Sequence, residues 1–360
     1  MTSDVDSCDS PTIAPGAARP RSRAMRRGGM LAAVVGVVVL AACTPPKPPP
    51  PGPPPGGPPP GGPPPAGPIA YVANSDDDTV TPIAVATNTA GAPIPVGDNP
   101  FGVAVTPDGA TAYVANNFDG TVTPIAVATN TPGPPIPVGD GPYGVAVTPD
   151  GATAYVANAN DDTVTPIAVA TNTPGTPILV GNLPTGVTIT PDGATAYVNN
   201  FFDDTVTPIA VATNTPGTPV PVGDGPEGVA VTPDGATLYV ANNGDDTVTP
   251  IAVATNTPGT PIPVGTNPQG VAVTPDGATA YVASGTDGAV TPIAVATNTP
   301  GAPIPVGDGP YGVAITPDGA TAYIADHLDD TVTPIAVASN TAGTPVPVGN
   351  GPFVIAITPG

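Results

Sequence analysis

Seven tyrosines, Tyr71, Tyr113, Tyr155, Tyr197, Tyr239, Tyr281 and Tyr323, each stand 42 residues from the next, with no insertion anywhere. A fixed period of this size is the mark of a solenoid or a propeller. It outweighs the composition, 59 Pro and 45 Gly in 360 residues, which without a period would read as a disordered chain. One unit runs GVAVTPDGATAYVANANDDTVTPIAVATNTPGTPILVG. It holds four short runs of Val, Ile, Thr and Ala, separated by turn chemistry: Pro-Asp-Gly, Asp-Asp-Thr and Asn-Thr-Pro-Gly. No run carries a helical period. Four strands in about 40 residues is the pattern of a propeller blade.

The strands are a (Gly-Val-Ala-Val), b (Ala-Tyr-Val-Ala), c (Thr-Val-Thr-Pro-Ile-Ala-Val) and d (Pro-Ile-Pro-Val). Their near-continuous apolar character suits sheets covered on both faces. The repeats begin at a strand b near Ile69 and finish on a strand a, Val354 to Ile357. The first unit lacks an a and the last a lacks a b. A solenoid needs atypical capping repeats, and none is present. The expectation is an all-β, seven-bladed propeller over 69–360, four antiparallel strands to a blade, its first blade completed by the C-terminal strand. One feature resists. Pro82, Pro124, Pro166, Pro208, Pro250, Pro292 and Pro334 sit inside strand c, where a proline removes a ladder donor. A bulge there, or pairing that starts only after the Pro, is expected.

The charges divide the chain. Every Lys and Arg lies at or before Lys47, whereas residues 48–360 hold 24 Asp and Glu227. Without cations that stretch cannot neutralise a nucleic-acid backbone or clamp a phosphorylated substrate. Side-chain ion pairs are excluded as well, so packing and hydrogen bonds must hold the fold. Near the N-terminus, Arg26 and Arg27 precede an apolar run over 30–42 that ends in Leu40, Ala41, Ala42 and Cys43. That is the build of an export signal, too short to span a bilayer as a helix. Its last four residues resemble the lipobox of bacterial lipoproteins, which implies lipid attachment at Cys43. Residues 1–42 are therefore read as a signal region, with 25–42 the signal proper and 1–24 an over-extended start. Residues 43–68 are a Pro/Gly-rich linker, extending ~3.1 Å per residue as polyproline. The expected location is extracytoplasmic, with membrane attachment through the lipid alone.

Tyr-Val-Ala-Asn, followed by Asp-Asp-Thr-Val-Thr-Pro-Ile, Ala-Thr-Asn-Thr and Pro-Val-Gly, resembles the YVTN β-propeller repeat of surface-layer and other extracytoplasmic propellers. The resemblance covers 69–360 and implies the fold; that family is functionally mixed, so it implies little chemistry. WD40 propellers fit less well, since the chain has no Trp and no Gly-His signature.

In a propeller the b–c and d–a loops share one face, here called the top. The a–b turn reads Thr-Pro-Asp-Gly-Ala-Thr in six units, and the differences between units gather on the top face. The residue just before strand a should rim the central channel. Around the ring it reads Phe353, Phe101, Tyr143, Thr185, Glu227, Gln269, Tyr311. Four aromatics are adjacent across the closure and face three polar residues. Phe118, Phe201 and Phe202 lie in b–c loops of the same face. Exposed apolar clusters mark interaction sites, and aromatic side chains dominate binding hot spots. Phe101, Tyr143, Tyr311, Phe353, Glu227, Gln269, Phe118, Phe201 and Phe202 are thus the ligand-binding candidates. The other reading of the arc is a plug at the channel mouth.

Catalysis finds less support. His327 is the sole His, beside Asp326 in a b–c loop, and Glu227 lies two blades away. There is no Gly-x-Ser-x-Gly elbow, and one His without a free mature Cys cannot build a His/Cys metal site. Neither a cofactor nor a metal is expected, and the chain is expected to be a monomer. Lactonase-like seven-bladed propellers are the best enzyme analogy, but the Arg residues expected for a phosphorylated lactone are missing. The favoured reading is a lipid-anchored binding scaffold for a surface protein or glycan. The alternatives are a structural envelope repeat without a ligand and a lactonase-like hydrolase.

Overall fold

The computed structural model describes residues 67–359; the signal region, Cys43 and nearly all of the linker lie outside the described residues. Seven antiparallel sheets follow one another, each in the order a–b–c–d. Blade 2 is typical: a is Pro100–Val105, b is Thr111–Asn116 and c is Thr121–Ala126. Blade 1 takes b (Ile69–Asn74) and c (Thr79–Ala84) from the start of the repeats, and a (Pro352–Ile357) from the C-terminus. Ile69 and Thr358 clasp this joint: Thr358 N–H donates to the Ile69 carbonyl at 2.9 Å, and Ile69 N–H to Thr358 Oγ1 at 2.8 Å. The fold is the expected seven-bladed propeller.

The prolines of strand c do not disturb the b–c ladder, which runs through Tyr71↔Pro82 without a register shift. The expected bulge in c is corrected by this observation. Antiparallel geometry points the N–H and C=O of one residue toward the same neighbour. The Pro82 carbonyl accepts Gly91 N–H at 2.7 Å, so the missing N–H also faces strand d. The interruption therefore falls on d, which is split into pairs such as Thr89–Ala90 and Ile94–Pro95. A broken, proline-bearing outer strand also blunts a sheet edge against pairing with other chains.

The bulges lie instead in strand a. Pro100 pairs with Asn116 and Val103 with Val114, so Phe101 and Gly102 oppose one residue. The same shift recurs in every blade. A bulge re-aims a side chain, and here it turns the second residue of strand a into the channel mouth. Gly102 lets the inner strands approach, since a Cβ there would lie 2.2 Å from the Tyr143 carbonyl oxygen.

The core is laid down between blades. Tyr71, Val80 and Ile94 of blade 1 pack on Ala112, Val114 and Ile125 of blade 2. Tyr323, Val332 and Val346 of blade 7 meet Ala70, Val72 and Ile83 of blade 1 in the same way, which seals the ring. Each repeat tyrosine also reaches its neighbour: Tyr71 Oη donates to Asn130 Oδ1 at 2.6 Å. Asn130 holds φ +51° in the next c–d turn, a conformation Asn tolerates better than most residues. Tyr323 makes the equivalent bond to Asn88 across the closure.

Candidate functional site

Top-face loops are built by hydrogen bonds from the aspartates and asparagines of the repeat. In blade 2 the buried Asn116 donates through Nδ2 to Thr121 and Thr123 at 3.0 and 2.9 Å, while its Oδ1 accepts Gly97 N–H at 3.2 Å. Asp119 Oδ2 accepts Asp98 N–H at 2.8 Å. Asp78 Oδ1 accepts Asn99 N–H at 3.0 Å. The Asp runs of the b–c turns thus cap the d–a loops. Asp326 replaces the asparagine in blade 7. Burial pushes its carboxyl up to about 6, against the opposing hydrogen bonds from Thr333, Thr331 and Gly307. In blade 6 the residue is Ser284, whose buried Oγ finds no partner among the described residues.

The seven rim residues come together in the blade order read from the sequence, but they do not leave an open groove. Phe101 stacks on Tyr143 with ring centres 4.8 Å apart and meets Phe353 edge-on at 4.2 Å. Tyr311 packs on Phe353 at 3.8 Å. Long side chains then cross the mouth. Tyr143 Oη donates to Glu227 Oε1 at 2.8 Å, Tyr311 Oη binds the same oxygen, and the two hydroxyls touch each other. Arc and opposite wall are joined into a plug. Aromatic pairs of this kind add ~0.5–1.5 kcal/mol each beyond their buried area.

Glu227 is only 8% exposed. Burial raises its carboxyl to about 7, in opposition to the Tyr143 hydrogen bond. Burial, with the nearby Glu227 charge, holds the Tyr143 phenol well above its ordinary value. Asn243 Nδ2 reaches Glu227 Oε2 at 3.3 Å, and Asn199 Nδ2 holds the Glu227 carbonyl at 2.8 Å. Gln269 is turned aside: its Nε2 donates to Asn267 Oδ1 at 2.5 Å, and its Oε1 has no partner among the described residues. His327 sets its ring edge on Phe353 at 5.4 Å. No hydrogen bond joins it to Glu227 among the described residues, and its buried Nδ1 has no partner there.

The remaining candidates lie outside the plug. Phe201 covers the turn at Gly225, where a Cβ would come within 3.2 Å of the ring, and meets Phe202 edge-on at 5.5 Å. Phe118 and Phe202 project into solvent, 71% and 52% exposed, as does Leu328 at 69%. These three occupy the same position of the repeat, in the b–c turns of blades 2, 4 and 7. Sequence reasoning passed over Leu328, and over Ala159 and Leu183. Leu183 has φ +52°, in a set of left-handed residues that are otherwise Asn, Asp or Gly. The signal was present: Asn99 and Asn267 or glycines fill that place in the other turns.

No family model and no curated protein matches the chain, so the YVTN resemblance rests on the motifs quoted above. Solved structures do match. Hydrazine synthase of Kuenenia stuttgartiensis aligns at 26% identity and TM-score 0.66, over 71% of this chain and 89% of that one. A protein of unknown function from Desulfotomaculum acetoxidans aligns at 18% identity and TM-score 0.72, over 81% and 99%. A 6-phosphogluconolactonase-like protein of Bacteroides uniformis aligns at 16% and 0.69, over 81% and 99%. The latter two likenesses speak to the propeller fold alone.

Proposed function

We propose that this chain is a lipid-anchored extracytoplasmic propeller of the YVTN type that serves as a binding scaffold at the cell surface, with the top face as its contact surface. The observation that carries the reading is the shared repeat position of Phe118, Phe202 and Leu328, three of the four exposed large apolar side chains among the described residues, the fourth being Leu179 in an outer strand d. Unpartnered apolar side chains set among polar turns mark interaction surfaces. Strand b of blade 1 begins at the bottom face. The described chain therefore enters the propeller at the face opposite the proposed contact surface. The rigid ring supplies a fixed platform, and the seven b–c turns supply its variable part.

The test compares the parent with a Phe118→Ser, Phe202→Ser, Leu328→Ser triple variant and with Cys43→Ser, each expressed in a bacterial host. Cys43→Ser should leave the membrane fraction, and the triple variant should stay there but lose at least tenfold in retention of envelope material. Equal retention by parent and triple variant overturns the contact surface; unchanged fractionation of Cys43→Ser overturns the anchor.

The hydrolase reading draws on one observation, the raised Glu227 carboxyl with two phenols on it. Against it, the described residues hold no Lys or Arg for a phosphorylated substrate, and the carboxyl lies inside the plug, its Oε1 already held by the two phenols.

A further inference from the structure

Between blades 3 and 4 the top face opens into a hollow of about 370 Å³ lined by Ala159, Asn160, Asp162, Asn182, Leu183 and Phe202. Three positions shape it, two that vary from blade to blade and one, Leu183, that departs from an otherwise regular pattern. Ala159 stands where Phe201 stands one blade later, and Phe201 fills the corresponding space against Gly225. Leu183 stands where the other turns carry Asn or Gly. Phe202 stands where blades 3 and 5 carry Asn160 and Gly244. Only Leu183 is in evident backbone conflict. A Leu in the left-handed region crowds its Cβ against the following carbonyl oxygen, and strain of this kind is a pointer to function when it is observed rather than assumed. What the strain provides is an apolar floor: the Leu183 side chain lies against the plug cluster of Tyr143, Ala159 and Phe353.

We propose that this hollow is a subsite for one or two rings of a neutral saccharide, with the sugar face on Phe202 and its hydroxyl edge toward Asn160, Asp162 and Asn182. The inference rests on the top-face reading above and deepens it. A pyranose presents a C–H face and an edge of groups that both donate and accept hydrogen bonds. An exposed phenyl ring beside two carboxamides and a carboxylate matches both. Carboxamides offer donors and acceptors together, and a carboxylate accepts from hydroxyls. An anionic ligand would meet Asp162, with Asp161 and Asp203 nearby in the same turns, and no cation among the described residues. Asn182 Nδ2 already donates to Asp203 Oδ1 at 2.6 Å, and Asp162 Oδ1 accepts Leu183 N–H at 2.9 Å, which leaves Asn182 Oδ1, Asp162 Oδ2 and the Asn160 carboxamide to face a ligand. A purely apolar side chain would strip water from these without replacing their hydrogen bonds. The volume lies at the small end of the ~300–1,000 Å³ usual for ligand sites, fitting a chain end or a short segment rather than a whole polymer.

The experiment uses the full chain, solubilised in detergent, against immobilised cello-, chito- and mannotetraose, with a sialylated tetrasaccharide as the anionic comparison. At least one neutral probe should bind, and the sialylated one should not. Phe202→Ala should weaken the neutral probe at least tenfold and Asn160→Ala severalfold, while Thr257→Ala, on the exposed outer strand d of blade 5, leaves it unchanged. Leu183→Asn places in this turn the residue that Asn99 and Asn267 already supply elsewhere. It should therefore fold, relieve the strain and still lose at least fivefold in binding. No neutral probe bound by the parent, or binding indifferent to Phe202→Ala and Leu183→Asn, overturns the subsite. If envelope retention depends on Phe118 and Leu328 but survives Phe202→Ala, the subsite fails while the top-face reading stands. If retention survives the triple variant, the top-face reading fails too.

Discussion

Glu227 decides how the channel mouth responds to pH. Its folded value of about 7 lies above the ordinary 4.5 because burial penalises the charged form. A carboxyl whose value is raised by folding holds its proton more tightly in the native state, so its contribution is complete below about 4.5 and is lost as pH rises toward 7. The shift corresponds to something on the order of 3 kcal/mol. Asp326, raised to about 6 by burial, acts in the same direction. The aspartates of the six bottom-face turns act oppositely. Asp108, for example, is lowered by hydrogen bonds from Thr106 and Ala110, so its contribution is lost on acidification. Glu227→Gln keeps an acceptor for both tyrosine hydroxyls without a titratable charge. The variant should melt several degrees above the parent at pH 8 and close to it at pH 4.5, read by circular dichroism or calorimetry. A parent that melts as high as the variant at pH 8 contradicts the buried-carboxyl account. The proximity of rim residues could be read from sequence because the period fixes which positions share a ring. Their closing into a plug could not, because it depends on two phenols long enough to reach a carboxyl on the opposite wall.

Individual strands show what one blade lacks. Five blades carry Asn at the end of strand b, tying it to the threonines of strand c, as Asn200 does with Thr205 and Thr207 at 3.0 and 2.8 Å. Blade 6 has Ser284, too short for this, and pairs it with Ala289 in place of a threonine. Ser284→Asn should donate to Thr291 and accept Gly265 N–H, raising stability by about 1 kcal/mol, the usual net worth of one such bond. A chemical denaturation midpoint that falls or does not move would show that the backbone of blade 6 has adapted to serine. Strand identity was legible throughout, since each apolar run recurs seven times with the same turn chemistry around it. The role of the strand-c prolines was not. A proline in a strand states that one donor is missing but not which neighbour misses it. That depends on the direction of the carbonyl, and here it points to the outermost strand, where a break costs least. The bulge at Phe101 and Gly102 was equally hidden, because the residues beside it read as ordinary strand.

The whole ring depends on its closure. Deleting 352–360 removes strand a of blade 1, the clasp between Ile69 and Thr358, and Ile355 from the core between blades 7 and 1. It also bares the inner edge of strand b, an open template for other chains. The truncated protein should melt over a broadened range and elute as aggregates in size-exclusion chromatography. A sharp transition and an unchanged elution volume would mean that six complete blades suffice. The closure was foreseeable from sequence because the repeats start at b and finish at a, two halves that make one blade. In blade 1 the strand that follows the linker is flanked on one side by strand c and on the other by the C-terminal strand. Tension drawn along the linker therefore acts lengthwise on a strand held by two ladders at once. All of those hydrogen bonds must shear together, whereas a strand at an edge would be peeled away one bond at a time. The arrangement that completes the ring also makes the point where the chain enters the propeller a mechanically resistant part of the molecule.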